Sequence, residues 1–320
     1  MDDRRRVALA LGSGGARGYA HAGVIEVLEE RGYEIVGVAG SSMGAVIGGL
    51  WAAGKLDDYI DWALNLKRAD VLRMLDVSFG APGAMRAEKV LAQVQAHVGE
   101  TLIEELPVPF TAVATDLFSR REVWLQRGRL DHAIRASIAL PGIFTPVMLN
   151  GRLLADGSLT DPVPVSPTAS LAAHLTIAVS AGGERQGPRA GAAVSESADA
   201  RPMDEWIARF REGAARVLDE QLVRSFVSGF RRDEEAEAAD GATLEPEELP
   251  EGMNGFDVLN YSLGVMQTIV ANYRLAGSPP DVLVTIPVSD VALLDFHRAD
   301  TMIDLGRTAA TRALDDAGLD

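Results

Sequence analysis

Residues 35–54 run for 20 positions without a charged side chain, and they hold six glycines and two serines. That length matches a membrane-spanning helix. The small residues cluster in the middle, however, at Gly40-Ser41-Ser42-Met43-Gly44. The stretch therefore reads as a buried strand (Ile35 to Ala39), a tight turn, and a small-residue apolar helix (Met43 to Ala53).

The same order stands just upstream. Val7 to Leu11 is a short apolar run and predicts a fully buried strand. A glycine-rich loop, Gly12-Ser13-Gly14-Gly15-Ala16-Arg17-Gly18, follows it. Tyr19 to Arg31 then has helical spacing, with Ala22, Val24, Ile25, Val27 and Leu28 on the apolar side and Gly32 as a stop. Gly23 reads as the position that lets this helix lie close to the sheet. Strand, helix, strand, helix implies parallel strands joined by crossover helices. Further strands are expected at Phe110 to Asp116, Glu122 to Gln126, Arg152 to Ala155, Leu175 to Val179 and Val282 to Val288. Helices are expected at Leu130 to Ala139 and Ala299 to Leu314. The fold class is α/β, with a mostly parallel central sheet flanked by helices.

Between these blocks the pattern lapses. Gly182 to Ala200 is poor in apolar bulk, and Asp204 to Phe230 looks helical. Asp233 to Glu251 carries nine acids and no base, which supplies −9 of the net charge of −16. Such a block is expected to be solvated and mobile. The expected organisation is a catalytic core over 1–181, a helical and acidic insert over 182–251, and a C-terminal strand and helices over 252–320 that complete the core.

Gly40-Ser41-Ser42-Met43-Gly44 is a G-x-S-x-G pentapeptide set between a strand and a helix. A sharp strand-to-helix turn crowds the positions two before and two after its central serine, so Gly40 and Gly44 suit it. The Ser42 hydroxyl then stands above the sheet edge, at a helix N-terminus that favours negative charge. Ser42 is the candidate nucleophile. The loop at Gly12 to Gly18 does not fit a dinucleotide fingerprint, because the third glycine of G-x-G-x-x-G falls on Arg17. Glu34 does lie where a ribose-binding acid is expected. No Gly-Lys-Ser/Thr occurs, so a Walker loop is excluded. Backbone N–H groups in such a turn can converge on an oxyanion instead. Asp156-Gly157 ends the Arg152 to Ala155 strand, which puts Asp156 at a sheet edge; taken alone, Asp-Gly is also a common hairpin turn. Of the five histidines, only His297 comes late enough for a Ser, Asp, His order. A serine bonded directly to an aspartate needs no histidine.

Glycine loop, G-x-S-x-G and Asp-Gly in this order resemble the patatin-like phospholipases, and the likeness runs from about Val7 to Ala181. Pro279 to Gly306, with Asp295-Phe296-His297-Arg298, resembles bacterial proteins of the neuropathy-target-esterase-like branch. The resemblance implies a three-layer patatin-like fold and a Ser-Asp dyad, with Ser42 as nucleophile and Asp156 as base. It places the oxyanion loop at Gly14, Gly15, Arg17 and Gly18. It implies a serine esterase acting on acylated lipids, of phospholipase A or lysophospholipase type. Two positions depart from the family pattern: Ser13, where many members have glycine, and Ser158, where glycine or alanine is usual.

The chain has no cysteine, so disulfides, thiolate metal sites and cysteine nucleophiles are excluded. The chemistry described needs no metal and no cofactor. A net charge of −16 offers no footprint for nucleic acid. The expected partner is a lipid or acyl-ester substrate, met in the cytoplasm or in transient contact at a membrane surface. No signal peptide is expected at the N-terminus. Two other readings are a dyad-dependent acyltransferase and a non-catalytic regulator with the same fold. The sequence leaves oligomeric state open.

Overall fold

A computed structural model describes residues 5–74, 88–182, 255–287 and 291–319. The chain divides into two compact units. One comprises Met1–Asp76, Ala84–Pro188 and Gly264–Asp320; the other comprises Val77–Gly83 and Arg189–Leu263. Of the second unit only residues 255–263 are described, as the opening turns of a helix. The helix anticipated over Asp204 to Phe230 and the acidic block lie outside the described residues.

The first unit opens with β1 (Arg6–Leu11), α1 (Ala20–Glu30), β2 (Glu34–Ser41) and α2 (Met43–Ala52). Three helices follow that the apolar pattern had not announced: α3 (Leu56–Leu64), α4 (Arg68–Met74) and α5 (Glu88–Val98). Next come β3 (Phe110–Asp116), β4 (Arg121–Leu125), α6 (Leu130–Ser137), β5 (Val147–Leu149), β6 (Arg152–Asp156) and β7 (Leu175–Ser180). α7 (Gly255–Gly277), β8 (Val282–Thr285) and α8 (Ala299–Asp316) complete the described chain.

The eight strands form one sheet in the order β5-β6-β3-β2-β1-β7-β8, with β4 paired to β3 beside this path. β1 pairs in parallel with β2 and β7, β2 with β3, and β7 with β8; the β3–β4, β3–β6 and β5–β6 pairs are antiparallel. The parallel centre is buried on both faces: every residue of β3, and β1 from Val7 onward, is buried. That explains runs of apolar residues without alternation. Chain order reverses at β1, with β2 and β3 to one side and β7 and β8 to the other. α/β sheets place their ligand crevices outside the carboxyl ends of strands at such a switch. β5 and β6 are joined by Asn150-Gly151, both at positive φ (51° and 75°), a two-residue hairpin turn suited to this pair.

α8 closes the structure against α1. A Cβ at Gly23 would lie 2.1 Å from the Ile303 carbonyl oxygen, and one at Gly306 would lie 2.0 Å from that of Ala20. Gly23 therefore admits α8 rather than the sheet, which corrects the sequence expectation. Arg307 reaches back from α8 to Glu26 (2.6 Å) and Glu30 (2.7 Å). These exposed pairs add little by themselves, so the glycine contact sets the helix separation.

Alanine in a helix normally gains about 1 kcal/mol over glycine, whereas forcing atoms into a packed contact costs about 1–3 kcal/mol. Gly306→Ala is expected to lose about 2 kcal/mol, because the obstacle is backbone that cannot rotate away. Gly264→Ala, at an α7 position with nothing within 4 Å, is expected to show the opposite sign. Urea unfolding midpoints of the two variants check this, and a stabilised Gly306→Ala would refute the close contact.

Candidate active site

The turn after β2 puts Ser42 at φ 55° and ψ −123°, a conformation costly for a residue with a Cβ. The chain can make it because its flanks are glycine. A Cβ on Gly40 would lie 2.4 Å from the Gly44 carbonyl carbon, and one on Gly44 would lie 2.1 Å from the Leu11 carbonyl oxygen. The elbow thus folds on itself and rests on the end of β1. The Ser42 N–H donates to the Ser137 hydroxyl (3.0 Å), and that hydroxyl donates to the Val113 carbonyl (2.6 Å). The last residue of α6 therefore braces the strained turn from β3. Nothing in the sequence marks Ser137 for this part, since it reads as one more residue of an amphipathic helix.

Asp156 comes from the opposite side of β3. β6 is antiparallel to β3, with Asp156 paired to Ala114, while Ser41 of β2 pairs with Val113. The two edges thus end level with each other. Gly157 is where the chain passes over the end of β3: a Cβ there would sit 2.3 Å from the Val113 carbonyl oxygen and 2.6 Å from Ser41 Oγ. The glycine of the Asp-Gly pair is needed for this crossing, not for a hairpin, since the residues after Asp156 form a short 3₁₀ turn, Gly157–Leu159. The crossing brings Ser42 Oγ to 2.7 Å from Asp156 Oδ2, the hydroxyl donating to the carboxylate.

Asp156 is fully buried. Burial, the largest influence, pushes its carboxyl up to about 6, against the opposing hydrogen bonds from the Ser158 N–H, Ser42 and the Ser158 hydroxyl. Its backbone is pinned as well: its N–H donates to the Ala139 carbonyl (3.0 Å), and its carbonyl accepts from the Thr115 hydroxyl (2.9 Å).

The glycine loop faces this pair. Gly12 and Ser13 donate their N–H groups to Val179 (2.9 Å) and Pro162 (2.8 Å), Ala16 donates to Leu293 (2.9 Å), and Arg17 donates to Gly14 (3.2 Å). The N–H groups of Gly14 and Gly15 have no acceptor among the described residues. Gly15, at φ 56°, lines the same cavity as Ser42. Gly18 lies beneath Met43, where a Cβ would come within 2.4 Å of the Met43 side chain. Of the four residues assigned to an oxyanion loop, Gly14 and Gly15 present uncommitted donors, the Arg17 N–H is engaged, and Gly18 makes room. His21, fully buried, ties down the loop by donating from Nε2 to the Gly12 carbonyl (2.7 Å). Burial holds it down to about 4, so the ring is neutral.

Among the described residues no histidine bonds Ser42. His97 contacts the Gln93 carbonyl (2.7 Å), His174 accepts from the Arg6 N–H (3.3 Å), and His297 sits in the 3₁₀ turn Phe296–Arg298.

An apolar cavity of about 60 Å³ adjoins Ser42, walled by Met43, Val46, Tyr59, Ile138, Phe144 and Leu293 among others. Tyr59 is fully buried within a cluster that includes Tyr19, Trp62 and His97. The sequence also offers Phe144, Val147, Met148, Trp206, Phe210 and Phe226 as apolar material for an acyl chain; of these, Phe144 lines this space. Met148 instead points to solvent at 60% exposure, because it belongs to the β5–β6 hairpin at the sheet edge. Trp206, Phe210 and Phe226 lie outside the described residues. No helix among the described residues is long and apolar enough to cross a membrane; residues 35–54 are instead β2, the elbow and α2.

The sequence pattern of the patatin-like phospholipases matches residues 9–169. An uncharacterized NTE family protein of Mycobacterium tuberculosis is 46% identical over 341 residues, 98% of this chain and 93% of its own. Lysophospholipase NTE1 of Mycosarcoma maydis is 34% identical over 183 residues, 55% of this chain but 10% of its own. Among solved structures, VipD from Legionella pneumophila aligns with 98% of this chain and 67% of its own, at 12% identity and a TM-score of 0.46. The chain belongs to the patatin-like phospholipase family, and within it to the NTE family.

Proposed function

We propose that this protein is a serine lipid acyl hydrolase that acts on single-chain acyl esters of the lysophospholipid kind, with Ser42 as nucleophile and Asp156 as general base. The observation that carries the reading is the 2.7 Å hydrogen bond from Ser42 Oγ to a buried carboxylate, made at the mouth of an apolar cavity. A base must reach the proton it takes, and Asp156 reaches it without an intervening histidine.

In the proposed reaction Asp156 takes the Ser42 proton as the serine oxygen attacks the ester carbonyl. Negative charge then develops on the carbonyl oxygen, and the free N–H groups of Gly14 and Gly15 are the donors for it. One such donor is typically worth about 3–4 kcal/mol in the transition state. Asp156 passes its proton to the departing alcohol, which leaves an acyl-serine. Water attacks that ester in the same way, its proton going to Asp156 and then to Ser42 as the fatty acid departs. The strained backbone at Ser42 supports this reading, since such outliers cluster at reacting residues.

The cavity bears on the substrate. Its lining is almost wholly apolar, so an acyl chain fits it and a head group does not. Each methylene buried there contributes about 0.8 kcal/mol, which can be used to align the carbonyl. A cavity of about 60 Å³ holds roughly four to six water-sized groups.

Three outcomes are expected. Fluorophosphonate should label the protein at Ser42, and Ser42→Ala should abolish the labelling; labelling that survives, or falls on Ser13 or Ser41, refutes the nucleophile. Asp156→Asn should remove turnover while leaving the fold intact. The sign of its pH behaviour follows from burial. A carboxyl raised to about 6 favours the folded state when protonated, and this contribution is lost as pH rises from about 4 through about 6. Asp156→Asn should therefore unfold at a higher temperature than the parent at pH 8, and wild-type turnover should fall away below about pH 6. An Asp156→Asn protein with a lower melting temperature at pH 8 would contradict the buried charge. In p-nitrophenyl esters, kcat/KM should rise from acetate through about six to eight carbons and then level, and lysophospholipid should be cleaved faster than diacyl phospholipid. Acetate as the best ester, with neither lipid cleaved, would leave a general carboxylesterase.

A further inference from the structure

The proposed chemistry uses one oxygen of Asp156. The other is held by Ser158, the residue that follows the Asp-Gly pair, and Ser158 is held in turn from α7. The Ser158 N–H donates to Asp156 Oδ1 (2.8 Å). Gln267 of α7 donates from Nε2 to the Ser158 hydroxyl oxygen (2.7 Å). Ser158 is almost wholly buried. Gln267 thereby anchors, by its side chain, the residue whose N–H holds the carboxylate. The register of α7 on this loop is set one helical stretch later. Arg274 donates from Nε to the Thr160 carbonyl (3.1 Å) and pairs with Glu122 of β4 and with Asp161 (3.6 Å). α7 thus grips the loop after Asp156 at two points, and only the first leads to the carboxylate.

We propose that Gln267, acting through the Ser158 hydroxyl, is a positioning residue that aims the Asp156 carboxylate at Ser42. The inference rests on the reading of Ser42 and Asp156 as nucleophile and base. The anchoring of Ser158 is its physical content. Gln267 holds the Ser158 side chain, and so keeps the Ser158 N–H in place against Oδ1. That N–H donates to the charged carboxylate and favours it, so that Asp156 stays a competent base to lower pH.

The charged groups around Asp156 are accounted for elsewhere. Asp161 in its own loop, Glu122 on β4 and Arg274 on α7 form one cluster. Asp116 on β3 accepts from the Phe118 and Ser119 N–H groups (3.0 and 3.3 Å). On α6, Asp131 pairs with Arg129 (2.9 Å) and Arg135 donates to the Thr145 carbonyl (2.8 Å). α2 carries no titratable side chain, and β2 only Glu34 at its far end. Burial raises the Asp161 carboxyl to about 7, so it titrates in the same range; it is reached from α7 through Arg274 and not through Gln267, so variants at Ser158 and Gln267 read the route through Ser158.

The test is the rate of fluorophosphonate labelling at Ser42 between pH 5 and 9, in the wild type, Ser158→Ala, Gln267→Leu, the double variant and Ser158→Thr. Ser158→Ala and Gln267→Leu should each move the acid limb of the profile up by about 0.5–1 pH unit, a roughly three- to tenfold loss of rate below the limb. The double variant should move it no further than Ser158→Ala, since the two act in series. Ser158→Thr, which keeps the hydroxyl, should restore it. If Ser158→Ala does not fold, Gln267→Leu, at a half-buried helix position, still reads the same limb. A limb that stays put, a loss equal at every pH, or additive shifts would overturn the inference. Wild-type labelling that persists in Ser42→Ala would overturn the dyad itself and this inference with it.

Discussion

A carboxylate placed wholly out of solvent, with no cation paired to it among the described residues, is the constraint around which this site is arranged. Burying an ionised carboxyl costs several kcal/mol unless hydrogen bonds replace its water. Here the replacements come from distinct parts of the chain: the Ser42 hydroxyl at the end of β2, and the N–H of Ser158 in the loop after β6, whose side chain is held from α7. Satisfying one charged group therefore couples elements more than 200 residues apart in sequence. What remains unsatisfied shows as a carboxyl raised to about 6. In the proposed reaction that residue of instability would suit the group to act as a base near neutral pH, since a carboxylate at its ordinary value would take a serine proton less readily.

The strand between Ser42 and Asp156 matters as much as the residues. β3 separates β2 from β6 and pairs with both, in parallel on one side and antiparallel on the other. The Ser42 and Asp156 side chains have to meet over its end. That requires the absence of a side chain at Gly157 and a hydrogen-bonding cap on the Val113 carbonyl, supplied by Ser137. The elbow, the crossing and the cap are separate local solutions to one geometric demand.

Much of this could be read from the sequence, for reasons that differ by element. Parallel strands such as β1 and β7 appear as unbroken apolar runs because both faces are covered. The elbow appears because its crowding leaves only glycine at 40 and 44. The Asp-Gly pair was legible as a motif, although its glycine serves a strand crossing and the hairpin stands six residues earlier at Asn150-Gly151. Amphipathic α3 to α5 were passed over, and so was α7, whose apolar and polar residues mix without a clean stripe. Ser137, Ser158 and Gln267 were beyond sequence reasoning. Each is an ordinary polar residue whose part depends on what lies opposite it, between 24 and 109 positions away. Gly23 had the right property and the wrong partner, since close approach is legible in a glycine and the approaching element is not.

The closing of α8 on α1 has a consequence for how the protein is made. The segment before α8 supplies the Leu293 carbonyl that receives the Ala16 N–H, and Leu293 also walls the cavity beside Ser42. The chain must therefore have left the ribosome as far as residue 293 before the glycine loop acquires its support. Closing so distant a contact is slow, because the loop entropy is spent before the contact returns anything. A nascent chain carrying Ser42 and Asp156 but not yet residue 293 holds the two side chains without the wall that shapes their cavity. Synthesis order itself thus keeps the proposed site incomplete until residue 293 has emerged.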